Sequence, residues 1–138
     1  MQKNVSDGLP LPQRYGAIAT IVIGISMAVL DGAIANVALP TIAKDLNASP
    51  ASSIWIVNAY QIAIVISLLS LSFLGDMFGY RRVYQCGLVV FTLTSLFCAL
   101  SDSLHTLTLA RIAQGFGGAA LMSVNTALIR LIYPHRHL

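Results

Sequence analysis

Charge is scarce in this sequence. Only 9% of its 138 residues are Asp, Glu, Lys or Arg, against about 25% in an ordinary soluble domain. With 57% of the residues hydrophobic, that scarcity argues against a water-soluble domain and points to lipid. Any alternation of polar and apolar residues inside the apolar stretches is missing too, which excludes outer-membrane strands of about 10 residues. Cysteine is limited to Cys86 and Cys98. Their spacing puts them about 18 Å apart on one helix, too far for an unstrained disulfide. No nucleophile, base and orienting group can be assigned together, so the chain is not read as an enzyme. His135 and His137 on a basic tail are too few ligands for a metal, and nothing calls for a cofactor.

What is present is four long apolar segments, at 16–39, 54–75, 83–100 and 104–129. A hydrocarbon core about 30 Å thick needs about 20 apolar residues per helix. The expected fold is therefore an all-α membrane protein with four transmembrane helices. Residues 1–15 form a cytoplasmic tail, 16–130 a single transmembrane region, and 131–138 the start of a cytoplasmic loop. The first segment is too long for a cleaved signal, carries Asp31 and lacks a cleavage context. An outer link is expected over 40–53. Its Asn47-Ala48-Ser49 triplet spells a glycosylation acceptor, but such triplets are common and Pro50 follows directly, so it is read as chance.

Lys3, Arg14, Arg81, Arg82, Arg130 and Arg136 fall on one side of four spans and Lys44 on the other, so both termini are expected in the cytoplasm. This asymmetry accounts for the net charge of +3 without a nucleic-acid partner. Trp55 is then expected at the outer interface, and Tyr15, Tyr80, Tyr84 and Tyr133 at the inner one.

The fourth segment contains Arg111, a permanent charge in an apolar run. Residues 115–120 also satisfy the G-x-G-x-x-G/A spelling of a dinucleotide-binding turn. No strand precedes them and no acidic residue follows, so Gly115 and Gly118 are read as places where another helix packs closely. At 3.6 residues per turn, Arg111, Gln114, Gly118, Met122 and Asn125 share one face. A charge at the bilayer centre costs about 2.5–3.5 kcal/mol on insertion scales. Arg111 must therefore snorkel to the headgroups or meet a partner. Asp31, the only charge of the first segment, lies about 12 Å below the outer end of its helix, and Arg111 lies about 10 Å below the same surface. Gly24, Ala28, Gly32 and Asn36 form a small-residue stripe beside it that suits close helix packing. A structural salt bridge and a transport role both fit this pair.

Four stretches together resemble a known family. "LDGAIANVALP" at 30–40 resembles the first-helix signature of multidrug:proton antiporters of the major facilitator superfamily, in the branch with fourteen spans. "WIVNAYQIA" at 55–63 resembles the opening of helix two in that branch, and "SFLGDMFGYRR" at 72–82 resembles the motif joining helices two and three. "LTLARIAQGFGGAA" at 107–120 resembles the fourth-helix motif whose arginine and glutamine are associated with proton coupling. Four positions depart from the pattern. Ala33 replaces a threonine, Ser72 a glycine and Met77 an arginine, and Tyr80 stands where a basic residue is common.

The resemblance implies a proton-coupled exporter of cationic or amphipathic compounds in a bacterial inner membrane. Its partners would be the lipid bilayer, the substrate, protons and further C-terminal helices, because each half of such a protein contains six helices around a shared site. Asp31, Arg111, Gln114, Asn36, Asn58, Gln61 and Asn125 are the candidates for the proton-coupling and substrate cavity. Asp76, Gly79, Arg81 and Arg82 are the candidates for an intracellular gate, with Asp76 meeting a helix N-terminus of the second bundle. The chain is expected to be the N-terminal portion of such a protein and inactive alone. Two other readings remain: a small four-helix multidrug transporter acting as a dimer, and a membrane interaction protein that transports nothing.

The charge asymmetry makes a direct prediction. Reporter fusions after Asn47 and Asp102 should report the outer compartment, and a fusion after Gly79 the cytoplasm. A cytoplasmic signal at Asn47 would refute this orientation.

Overall fold

A computed structural model describes residues 10–132. The expectations that fall on Lys3, Tyr133, Arg136 and the two tail histidines lie outside the described residues. Five helices follow one another: α1 (Leu11–Asp45), α2 (Pro50–Phe78), α3 (Tyr80–Ala99), α4 (Leu104–Ser123) and α5 (Asn125–Ile132). No strand occurs among the described residues. Four spans, with α4 and most of α5 making up the last, are long and apolar enough to cross a membrane.

The helix ends differ from the hydropathy boundaries for local reasons. α1 starts at Leu11 and runs 35 residues, about 52 Å at 1.5 Å per residue, so it outreaches a core of about 30 Å. It passes through Pro40, which removes one backbone donor but is tolerated in membrane helices. The link expected over 40–53 therefore shrinks to 46–49. There Asn47 takes φ 51°, a left-handed conformation that asparagine accepts more easily than most residues. The Ala48 N–H then donates to the Ala43 carbonyl at 2.9 Å, closing the helix end in Schellman fashion. Ser49 caps α2 by accepting from the Ser52 N–H at 3.1 Å. The triplet that spells a glycosylation acceptor is thus the turn between two helix caps.

Gly79 makes the next turn. Its φ of 96° is open to glycine and costly for other residues, which lets α3 begin one residue after α2 ends. Ser103 starts α4 by accepting from the Thr106 N–H at 3.2 Å. The fourth segment, expected as one helix over 104–129, is broken by a turn at Val124 before α5 begins.

α4 is the centre of the bundle, packed along both α2 and α3, while α1 lies mainly on α2 and also touches α4 and α5. Half of the 20 residues of α4 are buried, among them Gly115, Gly117, Gly118, Ala119 and Ala120. Helices in lipid gain little from the hydrophobic effect, so small residues that admit close backbones supply the attraction. α1 is tied to α3 by Tyr84, whose hydroxyl donates to the Thr20 carbonyl at 2.8 Å and whose ring end rests on Gly24. Large apolar residues turned outward, such as Val37, Val65 and Leu69, suit a lipid surface.

Gly117 sets the α3–α4 separation. A methyl group built on it would lie 2.7 Å from the Phe91 nitrogen and 2.9 Å from its Cα, and backbone cannot step aside. Gly32 has no such neighbour within 4 Å. Gly117→Ala should therefore cost about 1–3 kcal/mol through overpacking, while Gly32→Ala should be near neutral or slightly stabilising. Thermal unfolding of both variants in one detergent checks the contrast, and equal midpoints would refute this account.

Candidate functional site

One side chain or more from each of the four long helices meets at Arg111. From α4, the guanidinium is 4% exposed and Gln114 is fully buried. Arg111 Nη1 donates to Asp31 Oδ2 of α1 at 2.5 Å and to Gln114 Oε1 at 2.7 Å. Gln114 Nε2 returns a bond to Asp31 Oδ1 at 3.0 Å. The result is a closed ring of three side chains in which both carboxylate oxygens are engaged. α2 contributes Tyr60, whose ring centre lies 4.3 Å from the guanidinium carbon, a cation–π distance. α3 contributes Cys98, whose thiol donates to Gln114 Oε1 at 3.4 Å.

Helix geometry explains the convergence. Residues three apart on a helix are neighbours on its surface, so Arg111 and Gln114 reach the same carboxylate. Gly115, one residue on, lets α2 come close: an added methyl would sit 2.6 Å from Ala63 Cβ and 2.8 Å from the Tyr60 carbonyl oxygen. That approach lays the Tyr60 ring on the guanidinium. Snorkelling to the headgroups is overturned, since Arg111 is enclosed and its charge is met by Asp31.

The ring is chemically asymmetric. Asp31 keeps 22% of its side-chain surface exposed while Arg111 keeps 4%. The guanidinium stays charged at any working pH, so the carboxylate is the member that can accept a proton or a cation. Arg111 Nε and Nη2 and the Tyr60 hydroxyl are buried without a hydrogen-bond partner among the described residues. The face of the Tyr60 ring is what offsets the guanidinium charge beyond Nη1. No group of three or more His, Cys, Asp or Glu that could hold a metal occurs among the described residues.

Other residues singled out from the sequence lie elsewhere. Asn58 and Gln61 are exposed because they flank Tyr60 by two and one positions, about 200° and 100° around the helix. Asn36 is exposed and donates to the Gly32 carbonyl of its own helix at 3.0 Å. Asn125 opens α5 after the Val124 turn and is half-buried, its Oδ1 enclosed without a hydrogen-bond partner among the described residues, and Met122 turns outward. Of the packing stripe, Gly24 and Ala28 are buried and Gly32 is not. Gly118 faces the Tyr60 hydroxyl, which an added methyl would meet at 3.0 Å.

Two members of the site were not singled out from the sequence. Tyr60 sits inside "WIVNAYQIA", where the amides drew attention by polarity, although a tyrosine in a membrane segment also carries a polar tip. For Cys98, the sequence alone speaks only to disulfide pairing. At the Gly79 turn, the Tyr80 hydroxyl hydrogen-bonds the Asp76 carboxylate, while Arg81 and Arg82 are exposed.

Comparison with known proteins places this arrangement. The chain is 86% identical over all 138 residues to the Uncharacterized transporter YebQ of Escherichia coli (strain K12), covering 30% of that protein. It is 35% identical over 124 residues, 90% of the chain, to the Riboflavin transporter RibZ of Clostridioides difficile (strain 630), covering 27% of it. It is 40% identical over 114 residues, 83% of the chain, to the Putative multidrug resistance protein MdtD of Salmonella paratyphi B, covering 24% of it. The chain thus spans less than a third of the length of these relatives. The family model of the Major Facilitator Superfamily matches residues 21–138. With four apolar helices and a buried Arg111–Asp31–Gln114 ring, the chain belongs to the Major Facilitator Superfamily and is part of a multi-pass membrane transporter.

Proposed function

We propose that the whole transporter exchanges protons for cationic or amphipathic compounds, with Asp31 as the coupling carboxylate. The observation that carries this reading is the asymmetry of the ring, in which a half-buried carboxylate able to change charge is held against an enclosed guanidinium that cannot. A cationic group arriving at Asp31 favours its ionised form and expels a proton. Reprotonation from the outer side then favours release of the substrate there. Gln114 bridges both members and keeps the carboxylate oriented through the exchange. The two functionally named relatives, one a riboflavin transporter and one a putative multidrug resistance protein, support small-molecule transport by the whole protein.

The same reading puts the chain in a bacterial inner membrane with its N-terminus in the cytoplasm, in line with the basic residues around Arg81 and Arg82. Asp76, Gly79, Arg81 and Arg82 then form a gate on the cytoplasmic side. The Tyr80 hydroxyl steadies Asp76 in place of the basic residue common there. The transport cycle requires helices beyond the four described, because the superfamily's site lies between two six-helix halves.

A second reading is favoured by the geometry of the pair itself, a 2.5 Å contact with the arginine enclosed. In that case the bridge only holds α1 to α4. The two readings separate in purified variants of the whole transporter. Under coupling, Asp31→Asn should abolish substrate-induced proton release in folded protein, and Arg111→Lys, which keeps the charge and loses the planar fork, should weaken coupling while leaving folded protein. Under a purely structural role, either loss should cost about 3–5 kcal/mol of stability, and a paired neutral replacement should restore abundance and transport together. Proton release from Asp31→Asn equal to that of the unmodified protein would overturn the coupling role.

A further inference from the structure

Away from the Arg111 ring, α2, α3 and α4 leave an open groove of about 480 Å³ at the end of the bundle marked by the Gly79 turn. Its walls are apolar side chains, chiefly Leu71, Leu74 and Phe78 of α2, Val83 and Val90 of α3, and Phe116 of α4. Arg82 lines it at the interfacial end. From Arg82 to Val90 the groove runs about 12 Å along α3, close to the depth of one leaflet of a hydrocarbon core about 30 Å thick. Arg82 is exposed, and its side chain has no hydrogen-bond or ion-pair partner among the described residues.

We infer that this groove seats one acyl chain of an anionic phospholipid, with the lipid phosphate on Arg82. The apolar walls match a lipid tail, and between Arg82 and Val90 the one side-chain heteroatom that lines them is the weakly polar Cys86 thiol. The unpaired guanidinium at the mouth supplies the complementary charge, since phosphate is a natural partner for its donor fork. Basic pockets between membrane helices commonly hold anionic headgroups in this way. Gly87 and Gly117 close the bottom of the groove, where the backbones of α3 and α4 touch. The inference does not depend on Asp31 or on any transport cycle. It uses the orientation proposed above only to name the leaflet, which is then the cytoplasmic one, where anionic lipids carry the negative surface potential.

Fluorescence quenching in lipid nanodiscs tests it in the whole transporter of which this chain is part. Trp55, the single tryptophan of this chain, and any tryptophan beyond it are replaced by Phe, and an indole is introduced in the groove by Phe116→Trp. A control carries Phe73→Trp instead, on an exposed face of α2 outside the groove. Phosphatidylglycerol and phosphatidylcholine, each brominated on the acyl chains, are compared as quenchers. One interfacial arginine enriches an anionic lipid about fivefold, so quenching at position 116 should favour phosphatidylglycerol by about that factor, with no preference at position 73. Arg82→Gln should abolish the preference and Arg82→Lys should keep it, with unchanged helicity by circular dichroism in both. Equal quenching by the two lipids at position 116, or a preference that survives Arg82→Gln, would overturn the inference. So would the same preference at position 73, which marks general attraction of anionic lipid. Absence of quenching at position 116 by either lipid would overturn it too, by showing that protein fills the groove.

Discussion

An arginine enclosed in a medium with almost no water constrains everything around it. Leaving its charge unpaired there would cost several kcal/mol, so Arg111 cannot lie on a lipid-facing surface. It has to meet an opposite charge from another helix, and Asp31 of α1 is the one it meets. Gln114 closes the ring, Tyr60 covers the guanidinium from α2, and Cys98 reaches in from α3. A single buried cation thereby sets the relative positions of four helices along a chain that has few other polar contacts to orient them.

Such a meeting depends on backbone proximity, which α4 provides through its small residues. Gly115 admits α2, Gly117 admits the backbone of α3 at Phe91, and Ala119 and Ala120 keep the contact close. Larger side chains at these positions would push α2 and α3 outward, carrying Tyr60 and Cys98 away from Arg111. The glycine run of α4 and the ion pair are therefore parts of one arrangement. It also explains why a sequence that imitates a dinucleotide-binding turn occurs here: both uses need a backbone without side chains, one to approach phosphate and the other to approach a helix.

The spans were legible because hydropathy reports the solvent a segment faces, and in lipid that signal is strong. Helix ends were less legible. α1 passes through Pro40 because losing one donor does not end a long membrane helix, and the apolar count cannot register the turn at Val124. The Asp31–Arg111 pair could be anticipated from depth, a quantity that survives without coordinates. Rotation about the helix axis does not survive so well, and for that reason Asn58 and Gln61, rather than their neighbour Tyr60, drew attention in α2. Cys98 was invisible for a similar reason, since nothing in its local sequence announces contact with Gln114 sixteen residues on.

The short link between α1 and α2 has a mechanical consequence. Four residues separate the two helices, one helix end is closed through Asn47 and the next is started by Ser49, so the joint has little torsional slack. α1 and α2 form a stiff bracket, with Asp31 on one arm and Tyr60 on the other. The short joint therefore limits how far the carboxylate and the aromatic face that flank Arg111 can move apart.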